Sequence, residues 1–353
     1  MKDRLLRGAA RALLVAPLAR ALGGPRRRGS AAALDPQVAA VLQLQRMLRL
    51  PPIDSMEPAR ARSFAEAGLS PLDVAPAPMA ELVDTTVPSP SGARIPVRLY
   101  IPPAAGPNWI VYFHGGGGVI GSVRASEPVT RLLAAQTSCT VASVEYRLGP
   151  EHHHPAAIDD ACAAFDALAA RAARTSPAAG AVRVAVAGDS FGGFLSAHVD
   201  RRATRRPDLQ ILIYPLTDML LGSPSIEQHA RGYLLTGTMI RWFRRNYLGP
   251  AHADDTDHLR SISPLHWPDA VLRRAAPAII VTAGFDPLVD EGDAYADRLA
   301  RAGVSVVHQR HPTLIHGFLS LGGAVRQARV AIDELTTAIA PAVNFVNLRA
   351  STA

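Results

Sequence analysis

Lysine is almost missing from this chain of 353 residues: Lys2 is its only one, and every other basic side chain is arginine. Cysteine is as scarce, with Cys139 and Cys162 alone. Two thiols at this length make no disulfide framework, and neither sits at a metal-ligand spacing, which excludes the disulfide-stapled and zinc-module classes. Both lie in apolar surroundings on predicted strand and helix, so they read as buried free thiols compatible with a reducing cytoplasm. A membrane span needs ~20 apolar residues. In the N-terminal region the unbroken apolar stretch is only Ala12 to Ala19, bounded by Arg11 and Arg20. No internal repeat is present.

Charge is sparse too, 19% of residues against 48% hydrophobic. That supports a sizeable core, in one large α/β domain with a smaller lid or in two ordinary domains. The formal net charge of +7 is local. Residues 1–33 carry Lys2, Arg4, Arg7, Arg11, Arg20, Arg26, Arg27 and Arg28 against Asp3, leaving 29 basic and 29 acidic residues elsewhere. A neutral body lacks the basic surface that nucleic acid requires. The leader can form a short amphipathic helix and reads as a flexible arginine-rich tail, a membrane-surface helix or a targeting segment. Membrane contact is expected only there, and a cytoplasmic enzyme body is expected beyond it.

What the chain does have is two glycine-rich segments, each fed by an apolar run that reads as a buried strand. Trp109 to Phe113 enters His114-Gly115-Gly116-Gly117-Gly118, and Val182 to Ala187 enters Gly188-Asp189-Ser190-Phe191-Gly192-Gly193. A strand passing through Gly-x-Ser-x-Gly into a helix is the nucleophile elbow of the α/β-hydrolases. The earlier glycine run supplies bare N–H groups for an oxyanion. A serine nucleophile needs a base, and the base an orienting acid, in the chain order serine, acid, histidine. Asp286 follows the apolar strand Ala278 to Thr282, with Asp290 as its rival. His316 follows strand-like Val304 to Gln309, with His308 and His311 as rivals. His308 lies inside that strand, and Asp290 can instead cap the helix that begins beside it.

The remaining elements alternate. Helices with proline punctuation run from Leu34 to about Met79, with Leu42, Leu44, Met47, Leu48 and Leu50 supplying an apolar face. A hairpin pairs Leu82 to Val87 with Ile95 to Ile101. After Trp109 strands and helices alternate: helix 128–136, strand 141–146, helix 156–174, strand 182–187, helix 192–202 and strand 210–214. This predicts a mostly parallel sheet with helices on both faces. Asp218 to Ile262 interrupts the pattern with an aromatic helix around Trp242, which reads as a packing face. Strand and helix resume at Pro277 and end in a helix over 325–339.

Four ordered blocks carry a resemblance: the His114 glycine loop with Val119-Ile120-Gly121-Ser122; Glu145-Tyr146-Arg147-Leu148-Gly149-Pro150-Glu151-His152; the Ser190 elbow; and the Asp286 and His316 loops. From about Leu34 to the C-terminal helix the chain resembles the bacterial hormone-sensitive-lipase-like (family IV) carboxylesterases of the α/β-hydrolase fold, in their Gly-Asp-Ser-x-Gly branch. The resemblance implies Ser190 as nucleophile, His316 as base, Asp286 as its orienting acid, and an oxyanion hole from the N–H groups of Gly115, Gly116 and Phe191. His114, Gly117, Gly118 and Asp189 are expected to position that loop or line the pocket. It also implies a helical cap from residues 34–80 and 218–262 over a catalytic core of 81–217 and 263–353, with residues 1–33 as a separate leader. The chain departs from the family at Gly118, where a bulky aromatic is usual, and at Phe191, where alanine is usual.

The expected reaction is hydrolysis of short- to medium-chain esters through an acyl-enzyme, without metal or cofactor. A homo-oligomer is compatible with the sequence. An amidase or serine peptidase on the same fold is the alternative. A non-catalytic receptor is a weaker one, since it predicts loss of the base. His152-His153-His154 are consecutive on a loop, so they cannot converge on one ion. Glu145 and Glu151 are expected to pair locally with Arg147.

Overall fold

The computed structural model describes residues 33–175 and 182–344, so the leader, apart from residue 33, lies outside the described residues. Eight strands form one sheet: β1 Glu81–Pro88, β2 Arg94–Ile101, β3 Trp109–Phe113, β4 Thr140–Val144, β5 Val184–Asp189, β6 Leu209–Ile213, β7 Ala278–Phe285 and β8 Val306–Ile315. Their spatial order is β1-β2-β4-β3-β5-β6-β7-β8. β2 runs antiparallel to β1 and β4, and every pair from β4 to β8 is parallel. This is the mostly parallel, helix-flanked sheet that the alternation predicts.

β3, β4, β6 and β7 are buried over their whole length. Their sequences are unbroken apolar runs because both faces are covered. Alternate side chains of β3 serve opposite faces. Trp109, Val111 and Phe113 pack with the helices Ala156–Thr175 and Phe191–Arg202, whereas Ile110 and Tyr112 pack with Glu127–Thr137 and Arg326–Asn344. The parallel strands then deliver their carboxyl-end loops to one edge of the sheet, where open α/β sheets bind ligands.

Between β6 and β7 the described residues hold helices and no strand, chiefly Pro224–Gln228, Gly237–Leu248 and Thr256–Ile262. Trp242, Phe243, Tyr247 and Leu248 are buried on the second of these, as the packing-face reading requires. The N-terminal helices are Pro36–Met47 and Pro58–Leu69. Asp35 caps the first by accepting from the N–H groups of Gln37 (2.8 Å) and Val38 (3.2 Å). Its buried face is Val38, Ala40, Val41 and Leu42, which corrects the expected apolar face. Met47 and Leu48 are 63% and 59% exposed because the helix ends there and the chain turns through Arg49 at φ 48°. Arg46 reaches the segment between β6 and β7, donating to the Gly232 carbonyl at 3.2 Å. Among the described residues no helix is long and apolar enough to cross a membrane.

The local pairing expected around Arg147 does not form. Arg147 instead forks onto the fully buried Asp160, Nε to Oδ2 at 2.7 Å and Nη2 to Oδ1 at 2.9 Å. Glu151 takes both Nη groups of Arg62, and Glu145 accepts from the Val123 N–H at 2.8 Å. A buried carboxylate offering two oxygens to a planar fork outcompetes exposed neighbours in sequence. Cys139 and Cys162 are both free, but only Cys139 is buried; Cys162 is half-buried, which corrects its expected burial. Burial pushes their thiols up to about 11 and about 12, which leaves them unreactive at neutral pH.

Asp160 also accepts from Ser89 Oγ at 2.6 Å, so it joins the hairpin to the core. Asp160→Ala leaves Arg147 and Ser89 without that acceptor and is expected to cost ~3–5 kcal/mol in urea unfolding. A loss below 1 kcal/mol would show that the pair holds nothing together.

Candidate active site

Ser190 occupies the turn between β5 and the helix Phe191–Arg202 at φ 55° and ψ −115°. A non-glycine residue does not adopt this backbone without restraint. Its N–H donates to the Ile213 carbonyl (2.8 Å), and its own carbonyl accepts from the N–H groups of Gly193 (3.0 Å) and Phe194 (3.2 Å). The helix must pass so close to β3 that a Cβ at position 192 would lie 1.9 Å from the Phe113 carbonyl oxygen. Only glycine fits there.

Three side chains from three loops meet at this turn. His316 Nε2 lies 3.0 Å from Ser190 Oγ, and His316 Nδ1 lies 2.8 Å from Asp286 Oδ2. Asp286 is fully buried, and its Oδ1 accepts from the Leu288 N–H at 2.8 Å, which fixes the carboxylate plane. The Tyr214 ring supports the imidazole from the side, with centroids 4.6 Å apart.

The rival residues stand elsewhere. Asp290 lies in the first turn of the helix Val289–Arg301 but does not cap it, since Leu288 holds that position. Its Oδ2 instead accepts from the Ser225 N–H at 2.8 Å, at the start of Pro224–Gln228. β8 continues beyond the expected Val304 to Gln309, because a register shift opposite Ala283 and Phe285 admits Pro312. His311 is therefore a buried strand residue 3.8 Å from Glu334, and His308 lies 3.1 Å from Asp293.

The glycine loop is fixed from below by Asp189. Its Oδ1 accepts from Tyr112 Oη (2.7 Å) and from the Gly115 N–H (2.9 Å). The N–H of Gly115 is thus already engaged, which corrects its expected place among the oxyanion donors. The N–H groups of Gly116, Gly117 and Phe191 meet no protein acceptor among the described residues. His114 Nδ1 lies 2.8 Å from the Gly115 carbonyl, and the ring stacks on Tyr146 at 4.4 Å. Gly118 is held at φ +72° with the Phe191 ring against it, so the aromatic bulk sits on the neighbouring residue. Phe191 itself is fully buried and packs on Phe194 and Tyr247. It backs the loop and does not line an open pocket.

Sequence reasoning missed Glu291, which is fully buried five positions after Asp286. Its Oε1 accepts from the N–H groups of Thr217 (2.6 Å) and Asp218 (3.0 Å), tying the loop after β6 to the start of the helix Val289–Arg301. Neither periodicity nor motif spacing marks a buried acid of this kind. Among the described residues no three His, Cys, Asp or Glu side chains are grouped to hold a metal ion.

Burial, with Asp218 and Asp286 adding to it, pushes the Glu291 carboxyl well above the ordinary 4.5, so the folded chain keeps a proton that the unfolded chain releases. Stability from this group is full below pH ~4.5 and falls as pH rises, by at most ~1.4 kcal/mol per unit. Glu291→Gln cannot titrate and should gain on the native chain as pH rises above ~4.5 in urea melts. A pH-independent difference would show that Glu291 is ionised in the fold.

Comparison with known proteins places this geometry. A family model described as the α/β-hydrolase fold matches residues 110–320. The chain is 38% identical over 268 residues to the carboxylic ester hydrolase LipN of Mycobacterium tuberculosis, covering 73% of this chain and 70% of that one. It is 35% identical over 309 residues to an ethyl acetate hydrolase of Pseudomonas putida, covering 84% and 95%. An ester hydrolase from the metagenome of Lake Arreo, solved with a bipyridine phosphonate derivative, superposes with a TM-score of 0.79 at 35% identity, covering 87% and 98%. On fold, family model and identity together, the chain belongs to the hormone-sensitive-lipase-like carboxylesterases of the α/β-hydrolase family.

Proposed function

We propose that the chain hydrolyses short- to medium-chain carboxylic esters through an acyl-enzyme on Ser190. The observation that carries this reading is the continuous hydrogen-bonded relay from Asp286 through His316 to Ser190, at 2.8 and 3.0 Å. His316 Nε2 takes the hydroxyl proton as Ser190 Oγ attacks the ester carbonyl carbon. Asp286 holds the imidazole with Nδ1 protonated and stabilises the imidazolium that forms. The carbonyl oxygen becomes an oxyanion, stabilised by the N–H groups of Gly116, Gly117 and Phe191 and by the N-terminus of the helix Phe191–Arg202. His316 returns the proton to the leaving alcohol. Water then attacks the acyl-enzyme by the same steps, releasing the acid and regenerating Ser190.

The preference for small acyl groups follows from enclosure. Residues 34–80 and 218–262 act as a cap: a Cβ on Gly117 would lie 2.3 Å from Phe243 Cγ, so the helix Gly237–Leu248 rests directly on the glycine loop. A lid so placed restricts the space beside the nucleophile, and one relative is named for ethyl acetate. His114, Gly118 and Asp189 position the loop in this reading, and the reaction requires no metal or cofactor.

Ser190→Ala is expected to lower kcat by on the order of 10⁶ and His316→Ala by a similar factor, because the three groups act as a unit. Asp286→Asn should cost on the order of 10⁴, and Asp290→Asn far less. Steady-state kinetics on a p-nitrophenyl butyrate substrate measures all four; a larger loss in Asp290→Asn than in Asp286→Asn would overturn the acid assignment. Rates for a series of p-nitrophenyl esters should fall as the acyl chain lengthens, and the matching anilides should turn over far more slowly. Comparable rates on the anilides would favour an amidase.

A further inference from the structure

Tyr247 is the point at which the helix Gly237–Leu248 reaches the nucleophile turn. Its ring lies edge-on to Phe191 with centroids 4.7 Å apart. Both rings abut Gly118: a Cβ there would lie 2.8 Å from Phe191 Cζ and 2.9 Å from Tyr247 Cδ2. The Gly118 carbonyl accepts from the Gly149 N–H, and five residues later the His154 N–H donates to the Tyr247 carbonyl, each at 2.8 Å. His154 Nδ1 also lies 3.0 Å from the Tyr247 hydroxyl. The loop 149–154 therefore straps this helix to the glycine loop. Burial keeps the Tyr247 phenol protonated, well above its ordinary range. Its hydroxyl donates, and a neutral His154 Nδ1 accepts.

Two further imidazoles surround His154. His252 and His258 stack at 4.1 Å with planes 22° apart, and His258 meets His154 edge-on at 4.9 Å. The stacked rings hold their nitrogen lone pairs in near-parallel planes, which do not converge on one ion. His252 Nδ1 and His258 Nε2 are buried without a hydrogen-bond partner among the described residues. The charged and titratable groups around the cluster are Arg202, His198 and Asp255. Arg202 is paired with Asp159 at 3.0 Å, and Asp255 caps its own helix through the His258 N–H at 3.0 Å.

We propose that Tyr247 is a positioning residue for the oxyanion donors Gly117 and Phe191, clamped in place by the His154–His252–His258 cluster. This rests on the oxyanion reading above. The consequence is a dependence on pH beyond that of His316. Burial first, then His258 and His252, pushes His154 down to about 4, and His258 is lowered by burial and His252. A released helix therefore takes up protons that the clamped one refuses. The clamp is complete above the ordinary imidazole value of 6.5 and is lost as pH falls toward 4. A protonated His154 has no lone pair for the Tyr247 hydroxyl, and its neighbours then repel it.

The test measures kcat and KM on a short p-nitrophenyl ester from pH 4 to 8, together with binding of a trifluoromethyl ketone of the same chain length. The ketone's tetrahedral adduct needs the oxyanion donors. Tyr247→Phe keeps the ring and removes the hydroxyl. It should lower kcat at pH 8 by roughly tenfold, short of the 10²–10³ for deleting a donor, leave KM within about twofold, and weaken the ketone by the factor lost in kcat. In His252→Gln/His258→Gln the fall of kcat/KM in acid should follow one proton, where the native enzyme follows more than one. Should that double variant fail to fold, the Tyr247→Phe profile, shallower in acid than the native one, decides alone. A native-like Tyr247→Phe, or a loss uniform across pH in either variant, overturns the proposal. A native enzyme that fails to form the ketone adduct overturns the oxyanion reading instead.

Discussion

Ser190 is held in a backbone conformation that an isolated chain would leave at once. Its φ of 55° and ψ of −115° persist because the surrounding structure over-determines them. The Ile213 carbonyl on β6 takes its N–H, the first turn of the following helix takes its carbonyl, and β3 presses against Gly192 from below. The strain lifts the hydroxyl out of the turn toward His316. Relaxing it would displace the Ser190 hydroxyl, the Phe191 N–H and the helix N-terminus in one movement. The parallel sheet is therefore the frame that holds the Ser190 turn in place, and its buried strands supply the rigidity that the turn demands.

A second layer of polar contacts sets the three active loops relative to one another. Asp189 fastens the glycine loop to the nucleophile turn through the Gly115 N–H and Tyr112. Glu291 binds the loop after β6 to the helix that follows Asp286. Asp290 fastens the segment between β6 and β7 to that same helix. Asp189 directly precedes Ser190, and Asp290 and Glu291 lie four and five positions after Asp286. Supporting groups of this kind keep reacting atoms within hydrogen-bond reach, where small displacements carry large rate penalties.

Much of this was legible in the sequence. Unbroken apolar runs at 109–113 and 278–282 mark strands covered on both faces, and glycine at 188 and 192 marks a turn with no room for side chains. The order serine, acid, histidine with each residue after a strand singles out Ser190, Asp286 and His316, which the fold brings together. The misreadings at Arg147 and Gly115 share one cause: they depend on contacts distant in sequence. Arg147 is flanked by acids but forks onto Asp160, which only the packed helix brings near. Gly115 belongs to the oxyanion motif by spacing, yet Asp189 occupies its N–H. Met47 and Leu48 fit a helical stripe, but the chain turns before they can be buried. Period and spacing identify elements and chemistry; which buried partner wins a given donor is decided by tertiary proximity.

The central claim is that one serine carries the acyl group. Incubation with a p-nitrophenyl alkylphosphonate, followed by proteolysis and mass spectrometry, tests it directly. The account predicts one phosphonyl group per chain, attached to Ser190, with p-nitrophenol released in equal amount. Labelling at any other residue, or an active enzyme that takes up no label, would contradict it.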